Sequence, residues 1–449
     1  MTHKTASQMR TEAEELFIRA LDSVDAYRKT KHSLKLRGKS LSACDVLGRR
    51  VELDLKRFKR ILVLGFGKAA ASMARGIEEI LHDRISGGVI IVNSARDVTL
   101  KRIEIVEAGH PLPDARSIKG TGRIVQLARN AGAQDLVICL ISGGGSALCS
   151  LPCEGIELSA LRQLTGQLMN CGASIVEINA VRKHLSQTKG GQLARLVYPG
   201  TLLTLIISDV VGDRMDVIAS GPTAPDPTTF QDAQRVLEKY GVLEKAPVSI
   251  RQHLKQGIEG QIRETPKRGE QELQNTTNLI IAHNLTALRT IAKEARKRGY
   301  NSFILSSMIE GDTRLAAQVF SNMIRELAAR TSARKPLCIT AGGEMTVKVH
   351  GPGKGGRNTD FCLALASMIE GMENVVILSA GTDGIDGATD AAGAMIDGAT
   401  SMRAAEQGLD IDIALAENDS YTLLNKLDTL LVTGPTGTNV MDIQMVLIG

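Results

Sequence analysis

Lys68 stands in a turn whose chemistry suits an anion. The apolar run 61–64 leads into Gly65-Phe66-Gly67-Lys68. Glycine at a strand end lets the backbone turn tightly and bring its N–H groups close to a ligand. A lysine ammonium beside such groups binds anions and can stabilise charge on a transferring phosphoryl group. Three more apolar runs end in glycine. Residues 136–141 precede Ser142-Gly143-Gly144-Gly145-Ser146, Thr340 precedes Ala341-Gly342-Gly343-Glu344, and 375–378 precede Ser379-Ala380-Gly381-Thr382-Asp383-Gly384. The triple glycine between Ser142 and Ser146 offers several N–H donors and two hydroxyls. The pattern points to an α/β enzyme that handles phosphate.

Carboxylates and a second cation accompany these loops. Asp209 and Asp213 lie four residues apart after the apolar run 202–207. Such a pair can hold magnesium, usually through waters, and as an alternative can cap a helix. Asp383, Asp386 and Asp390 cluster after another strand without the spacing of a calcium loop; metal, substrate hydroxyls or turn formation are the readings open to them. Gly353-Lys354-Gly355-Gly356-Arg357-Asn358 is basic and glycine-rich, and the Arg357 fork suits a carboxylate or phosphate.

Other chemistries fit less well. Gly65, Gly67 and Ala70 match the loose dinucleotide fingerprint, but the next strand ends at Asn93-Ser94, where an acid should hold the ribose. Gly38-Lys39-Ser40 ends like a nucleotide-binding P-loop, yet Ser33 stands where the first glycine belongs. Ser146 is not in a Gly-x-Ser-x-Gly elbow, which argues against a serine hydrolase. No His-x-x-x-His pair exists, so a zinc site is not expected.

The net charge of +5, from 54 basic and 49 acidic residues, suits a small anionic substrate rather than nucleic acid. With no Trp and 3% aromatics, there is little material for base stacking. Seven cysteines without a CxxC pair read as free thiols in a reducing compartment. The first ten residues are polar and no run reaches transmembrane length, so a cytoplasmic enzyme without a membrane partner is expected. A homodimer is the candidate assembly.

The elements that must position these loops alternate. Residues 11–29 read as an amphipathic helix, and strands and helices then follow in βαβα order through 207. Residues 241–277 are polar, contain Pro247 and Pro266, and read as a linker or excursion. Alternation resumes at 278, with an antiparallel excursion around 344–350 and a last strand over 443–448. At 449 residues the chain should form two domains, 1–240 and 278–449. Each should be a three-layer α/β/α sandwich, the first Rossmann-like with a mainly parallel sheet and the second with a mixed sheet. The active site should lie in the cleft between them, outside the carboxyl ends of the strands.

Taken in order, these motifs resemble the class II glycerate 2-kinases, whose C-terminal part is the MOFRL domain. The likeness covers nearly the whole chain. It runs from Gly65-Phe66-Gly67-Lys68-Ala69-Ala70 through Gly109-His110-Pro111-Leu112-Pro113-Asp114 and the 142–146 loop. It continues through Asn179-Ala180-Val181-Arg182-Lys183-His184, Lys189-Gly190-Gly191, Ser208-Asp209 and Gly221-Pro222-Thr223. Gly342-Gly343-Glu344, Gly356-Arg357-Asn358, Thr382-Asp383-Gly384 and Thr433-Gly434-Pro435-Thr436-Gly437-Thr438-Asn439 complete it. The resemblance implies transfer of the ATP γ-phosphoryl group to the 2-hydroxyl of D-glycerate, with magnesium. It implies that Lys68 and Arg357 are the basic residues the activity needs; the physical reading of the residues adds Asp209 as a third catalytic candidate, to hold the metal or orient the hydroxyl. Gly65, Gly67, Ser142, Gly143, Gly144, Gly145, Ser146, Lys189, Glu344, Asn358 and Asp383 are then the candidate phosphate, nucleotide or substrate contacts, and Asp209, Asp213 and Asp386 the candidate metal ligands. The family also carries the label hydroxypyruvate reductase, which is the alternative.

Overall fold

The computed structural model describes residues 4–95, 98–329 and 336–449. The chain forms two compact units. Unit I is Ala26–Ser208 with Asp213–Ala282; unit II is the N-terminal segment to Asp25, Asp209–Gly212 and His283–Gly449.

Unit I contains a small antiparallel sheet, β1 (Leu34–Arg37), β2 (Ser40–Cys44) and β3 (Arg50–Asp54). Gly38 and Lys39 form the two-residue turn between β1 and β2, which gives the P-loop-like tripeptide a structural role. The main sheet contains β4 (Arg60–Phe66), β5 (Ile85–Val92), β6 (Ile103–Glu107), β7 (Asp135–Ile141), β8 (Thr201–Ile207) and β9 (Thr276–Ala282). Their order is β6-β5-β4-β7-β8-β9, and every pair is parallel. All seven residues of β7 are buried. A parallel strand covered on both faces needs such a continuous apolar run, which is why these strands are visible in the sequence. The chain starts at β4, moves outward to β6, then returns beside β4 as β7 and moves the other way. The order reverses between β4 and β7, the position where open α/β sheets bind ligands.

Residues 241–277 do not form the expected linker. They contain the helix Val248–Ile258, whose Ile250 and Leu254 are buried in a cluster with Leu161, Leu164, Phe230 and Leu237. Two apolar residues four apart are enough to seat one helix face, so the polar composition conceals the packing. Glu264 ties the segment down further. It accepts from the Phe230 amide at 2.9 Å and contacts His184 Nε2 at 2.8 Å.

Unit II contains β10 (Asn301–Asp312), β11 (Leu337–Thr346), β12 (Val375–Gly381), β13 (Gly393–Asp397), β14 (Leu430–Leu431) and β15 (Asp442–Ile448). The order is β10-β11-β15-β12-β13-β14. β10 and β11 are parallel, whereas β15 is antiparallel to both β11 and β12, so the sheet is mixed, as expected. The last strand thus fills the centre. Its core gathers Phe361, Leu363, Ile377, Ile396 and Val446, with Phe320 edge-on to Phe361 at 5.3 Å.

The amphipathic pattern over 11–29 is divided between the units. Helix Ala6–Ser23, started by a Thr5 capping box, belongs to unit II, where Arg10 pairs with Asp397 at 3.0 Å. Helix Ala26–Ser33 belongs to unit I. The break comes where Ser23 Oγ and the Val24 amide donate back to Ala20 and Leu21 carbonyls. Among the described residues, no helix is long and apolar enough to cross a membrane. All seven cysteines are free, and Cys139, Cys149, Cys338 and Cys362 are buried.

Candidate active site

In unit I the loops after β4 and β7 meet at the switch point. Gly67 has φ +129°, and a Cβ there would lie 2.3 Å from Ser142 Oγ, so only glycine fits between the loops. Gly65, at the end of β4, is also closed in, with Ile90 and Leu140 atoms 3.0 Å from where its Cβ would be. The amides of the turn are used up inside the protein. Gly67 N donates to Ile91 O at 3.1 Å, Lys68 N to Gly143 O at 2.8 Å, and Ala69 N to Ser142 Oγ at 3.0 Å. This corrects the expectation that the turn's N–H groups cradle a phosphate. They join two loops instead.

The second loop differs. Among the described residues, the amides of Gly143 and Gly144 donate to no protein group. The His110 ring lies against Gly144, its Nε2 2.8 Å from the position a Gly144 Cβ would take. Gly145 packs against Phe66 and Ala219. Ser220 Oγ donates to Asn179 Oδ1 at 2.9 Å, so the 2.7 Å contact between Ser146 and Ser220 is a donation by Ser146. Lys189 is 1% exposed, and its Nζ donates to the carbonyls of Ser146 at 2.7 Å and Cys149 at 3.0 Å. It therefore holds the loop from below. Arg182 Nη2 reaches the same Ser146 carbonyl at 3.0 Å. Burial pushes Lys189 down to about 7, with the charge of Arg182 adding to the push, and burial alone pushes Arg182 down to about 10.

In unit II the centre is Arg357, the first residue of helix Arg357–Met368. Its Nε and Nη2 fork onto Asp442 at 2.5 and 3.0 Å, and its Nη1 donates to Glu344 at 2.9 Å. Asp442 is fully buried at the start of β15; burial pushes its carboxyl up to about 6 against the pull of Arg357. For Arg357, burial pulls the pKa down, but Asp442 and then Glu344 outweigh it and raise the value.

Glu344 is not in a loop as expected, because β11 runs on to Thr346. A Cβ on Gly342 would lie 2.1 Å from Asn284 Oδ1, and one on Gly343, at φ +147°, would lie 2.1 Å from Ile309 O. These glycines allow close approach, Gly342 to a helix and Gly343 to the neighbouring strand, and not a turn. Asp386, expected as a metal ligand, accepts from Asn358 N and Nδ2 at 3.0 and 3.2 Å and from Thr359 N and Oγ1 at 2.8 Å each. It caps the helix that carries Arg357, which gives its carboxylate a structural role. Asn358 Oδ1 in turn accepts from Ser379 Oγ at 2.7 Å. Asp383 accepts from the Ile385 amide at 3.2 Å.

Asp209 falls in unit II and Asp213 in unit I. Among the described residues, no group of three or more His, Cys, Asp or Glu is placed to hold a metal ion. The sequence reading passed over Arg182, Asn179, Ser220 and Asp442 as site residues. Arg182 carried a signal, as one of three basic residues ending a helix. Asp442 carried a weaker one, as an acid at the head of an apolar strand.

Fold and loops together define an α/β protein whose glycine loops meet at a sheet switch point. Residues 12–255 match a domain of unknown function, DUF4147, and residues 337–442 match the MOFRL family. A glycerate 2-kinase from Pyrococcus horikoshii is 42% identical over 431 residues, covering 96% of this chain and 95% of that protein. A D-glycerate 2-kinase from Thermotoga maritima is 41% identical, covering 87% and 91%. A solved glycerate kinase structure from Thermotoga maritima superposes with a TM-score of 0.86 over 99% of this chain and 100% of that one, at 37% identity. A protein from Agrobacterium vitis, 41% identical over 87% of each chain, is named provisionally as a hydroxypyruvate reductase. The chain belongs to the class II, MOFRL-containing glycerate kinase family.

Proposed function

We propose that this chain transfers a phosphoryl group from ATP to the 2-hydroxyl of D-glycerate, giving 2-phosphoglycerate and ADP. The observation that carries this reading is the switch point of unit I, where Lys68 and the free amides of Gly143 and Gly144 face the ligand side of a fully parallel sheet. Phosphoryl transfer asks for positioning and charge neutralisation more than covalent chemistry. Lys68 neutralises charge on the group in flight, and the two amides fix its oxygens. Asp209 orients the acceptor hydroxyl and takes up its proton. Arg357 offers its outward N–H groups to the glycerate carboxylate, with Asp442 fixing the plane of the fork. Magnesium, when bound, supplies further neutralisation of the phosphates, with Asp209, Asp213 or Asp383 as the carboxylates to meet it.

The reductase alternative has less support. The amides that would hold a dinucleotide pyrophosphate at the β4 turn are committed elsewhere, and Asn93-Ser94 follows β5 where a ribose-binding acid belongs. Free thiols throughout favour the cytoplasm as its place of work.

The test is a product assay with D-glycerate, ATP and magnesium, coupled through enolase without a mutase, because enolase accepts only the 2-isomer. Signal is expected. Accumulation of 3-phosphoglycerate alone overturns the regiochemistry. NADH consumption with hydroxypyruvate, without ATP consumption with glycerate, overturns the class.

A further inference from the structure

Two cations, Lys189 and Arg182, meet at the base of the 142–146 loop. Lys189 Nζ and Arg182 Nη2 are 2.7 and 3.0 Å from one carbonyl oxygen, that of Ser146. Among the described residues, neither has a carboxylate within 4.0 Å, whereas the neighbouring Lys183 has Asp226 at 3.1 Å. Arg182 Nε is buried and donates to no group. Burying a charge without a partner is costly, and a shared carbonyl dipole offsets that only in part. On the same loop, the Gly143 and Gly144 amides also lack an acceptor.

We propose that Arg182 and Lys189 are the built-in counter-charge for a phosphoryl dianion seated on the Gly143 and Gly144 amides. They act through the loop and do not touch the ligand, which makes them positioning residues. The proposal rests on the reading of the protein as a phosphotransferase and deepens it, because it assigns the phosphoryl group to the 142–146 loop. Their charge stays effective because the interior screens it poorly. The Ser146 carbonyl fixes the base of the loop, and the Ser146–Ser220–Asn179 hydrogen bonds fix its side. Ala219 and Ser220 hold φ of +50° and +64°, a conformation that costs free energy in non-glycine residues and persists where surroundings impose it. The groups facing Lys189 are Arg182, the Cys149 thiol and the Thr188 hydroxyl that contacts it. Since burial holds Lys189 near 7, an arriving dianion should draw a proton onto it.

Sulfate is the probe, because it is a dianion that does not titrate near neutrality. Its binding to the full-length protein is measured by calorimetry at several pH values. Wild-type affinity should fall about tenfold between roughly pH 6 and pH 8.5, as Lys189 loses its proton. Lys189→Met should weaken sulfate binding at the lower pH by about tenfold or more and flatten the profile. Arg182→Gln should weaken it by a similar factor, and Arg182→Lys should restore most of it. A flat wild-type profile overturns the proposal even if the variants fail to fold. So does wild-type affinity in a folded Lys189→Met protein. Competition of sulfate by ADP or by 2-phosphoglycerate identifies which compound supplies the dianion; competition by neither overturns the proposal. Kinase activity in a protein whose sulfate affinity ignores both residues sinks this inference alone. Sulfate binding that depends on them, without 2-phosphoglycerate formation, sinks the kinase reading alone.

Discussion

Unit I and unit II each bring cations to the end of a sheet, and they treat the charge in opposite ways. Under the 142–146 loop, Lys189 and Arg182 share one carbonyl and have no carboxylate within 4.0 Å among the described residues. In unit II, Arg357 already has two acids, one buried and bidentate, the other half-exposed and single. With both acids ionised, that cluster carries a net negative charge. On the proposed reading, unit I therefore accepts an anion as it stands. Unit II keeps one further N–H on each of Nη1 and Nη2, and there an incoming anion competes with Glu344. On the proposed reading the difference divides the tasks, with strong, fixed attraction for phosphate in unit I and a replaceable contact suited to a weaker carboxylate in unit II.

The largest effect should come from the side chain the comparison leaves most directly engaged with phosphate. Lys68→Ala should lower kcat by on the order of 10²-fold or more, comparable with losing one preorganised oxyanion donor. The fold should persist, because the amides of Gly67, Lys68 and Ala69 hold the backbone of the turn. Lys68→Arg should not rescue, since a planar guanidinium does not replace a compact ammonium in a locked turn. Near-normal turnover in the enolase-coupled assay of Lys68→Ala would return the turn to a purely structural role.

Breaking the joint between the two loops is a stability test. Gly67→Ala places a methyl 2.3 Å from Ser142 Oγ at a φ of +129°. Overpacking and backbone strain together should cost about 2–4 kcal/mol, read as a shift in thermal midpoint. An unchanged midpoint would mean that the loops are not pressed together as described.

Asp442 gives the comparison a pH axis. In the unfolded chain this carboxyl titrates in the ordinary range, while in the folded protein burial pushes it up to about 6 despite Arg357. The folded state thus holds the proton more tightly. Its stabilising contribution is complete below the unfolded value, falls as pH rises towards 6, and is gone above. Asp442→Asn cannot ionise. Between about pH 4 and pH 7 the wild type should lose stability relative to the variant, measured as denaturant midpoints of both proteins at each pH. A constant difference would place the ordinary carboxylate value on the folded protein. The variant should also lose kcat more than substrate affinity if Asp442 sets the plane of the Arg357 fork.

What the sequence discloses and what it hides follow from the range of the interactions. β4, β7 and β8 are continuous apolar runs because both sheet faces are covered, so their strands and the loops after them can be read directly. Lys68 and the triple glycine follow from that reading. The pairing of Arg357 with Asp442 spans 85 residues, and nothing local announces it. The same holds for Ser146, Ser220 and Asn179, which come together from three separate segments. Gly342 and Gly343 mislead for a related reason. Glycine marks close approach as well as turns, and only the neighbouring strand and helix show which applies. The break at Val24 escapes because the apolar stripe continues through both helices.

The smallest effect should be the sharpest discriminator between the units. If Glu344 occupies a place that a substrate carboxylate must take, Glu344→Gln should leave Arg357 better disposed to an incoming anion. The pair is partly exposed, with 45% of the Glu344 side chain in solvent, so its strength should be that of a surface ion pair. That is about 0.2–1 kcal/mol, or roughly a one-and-a-half- to fivefold fall in the KM for glycerate, with kcat little changed. The effect should shrink at high salt, because an exposed pair is screened. ATP affinity should not follow, since the phosphate is assigned to unit I. A rise in KM would instead make Glu344 a direct contact of the substrate hydroxyls. A collapse of kcat would move it into the chemistry, and unit II would no longer be the unit with a merely replaceable acid.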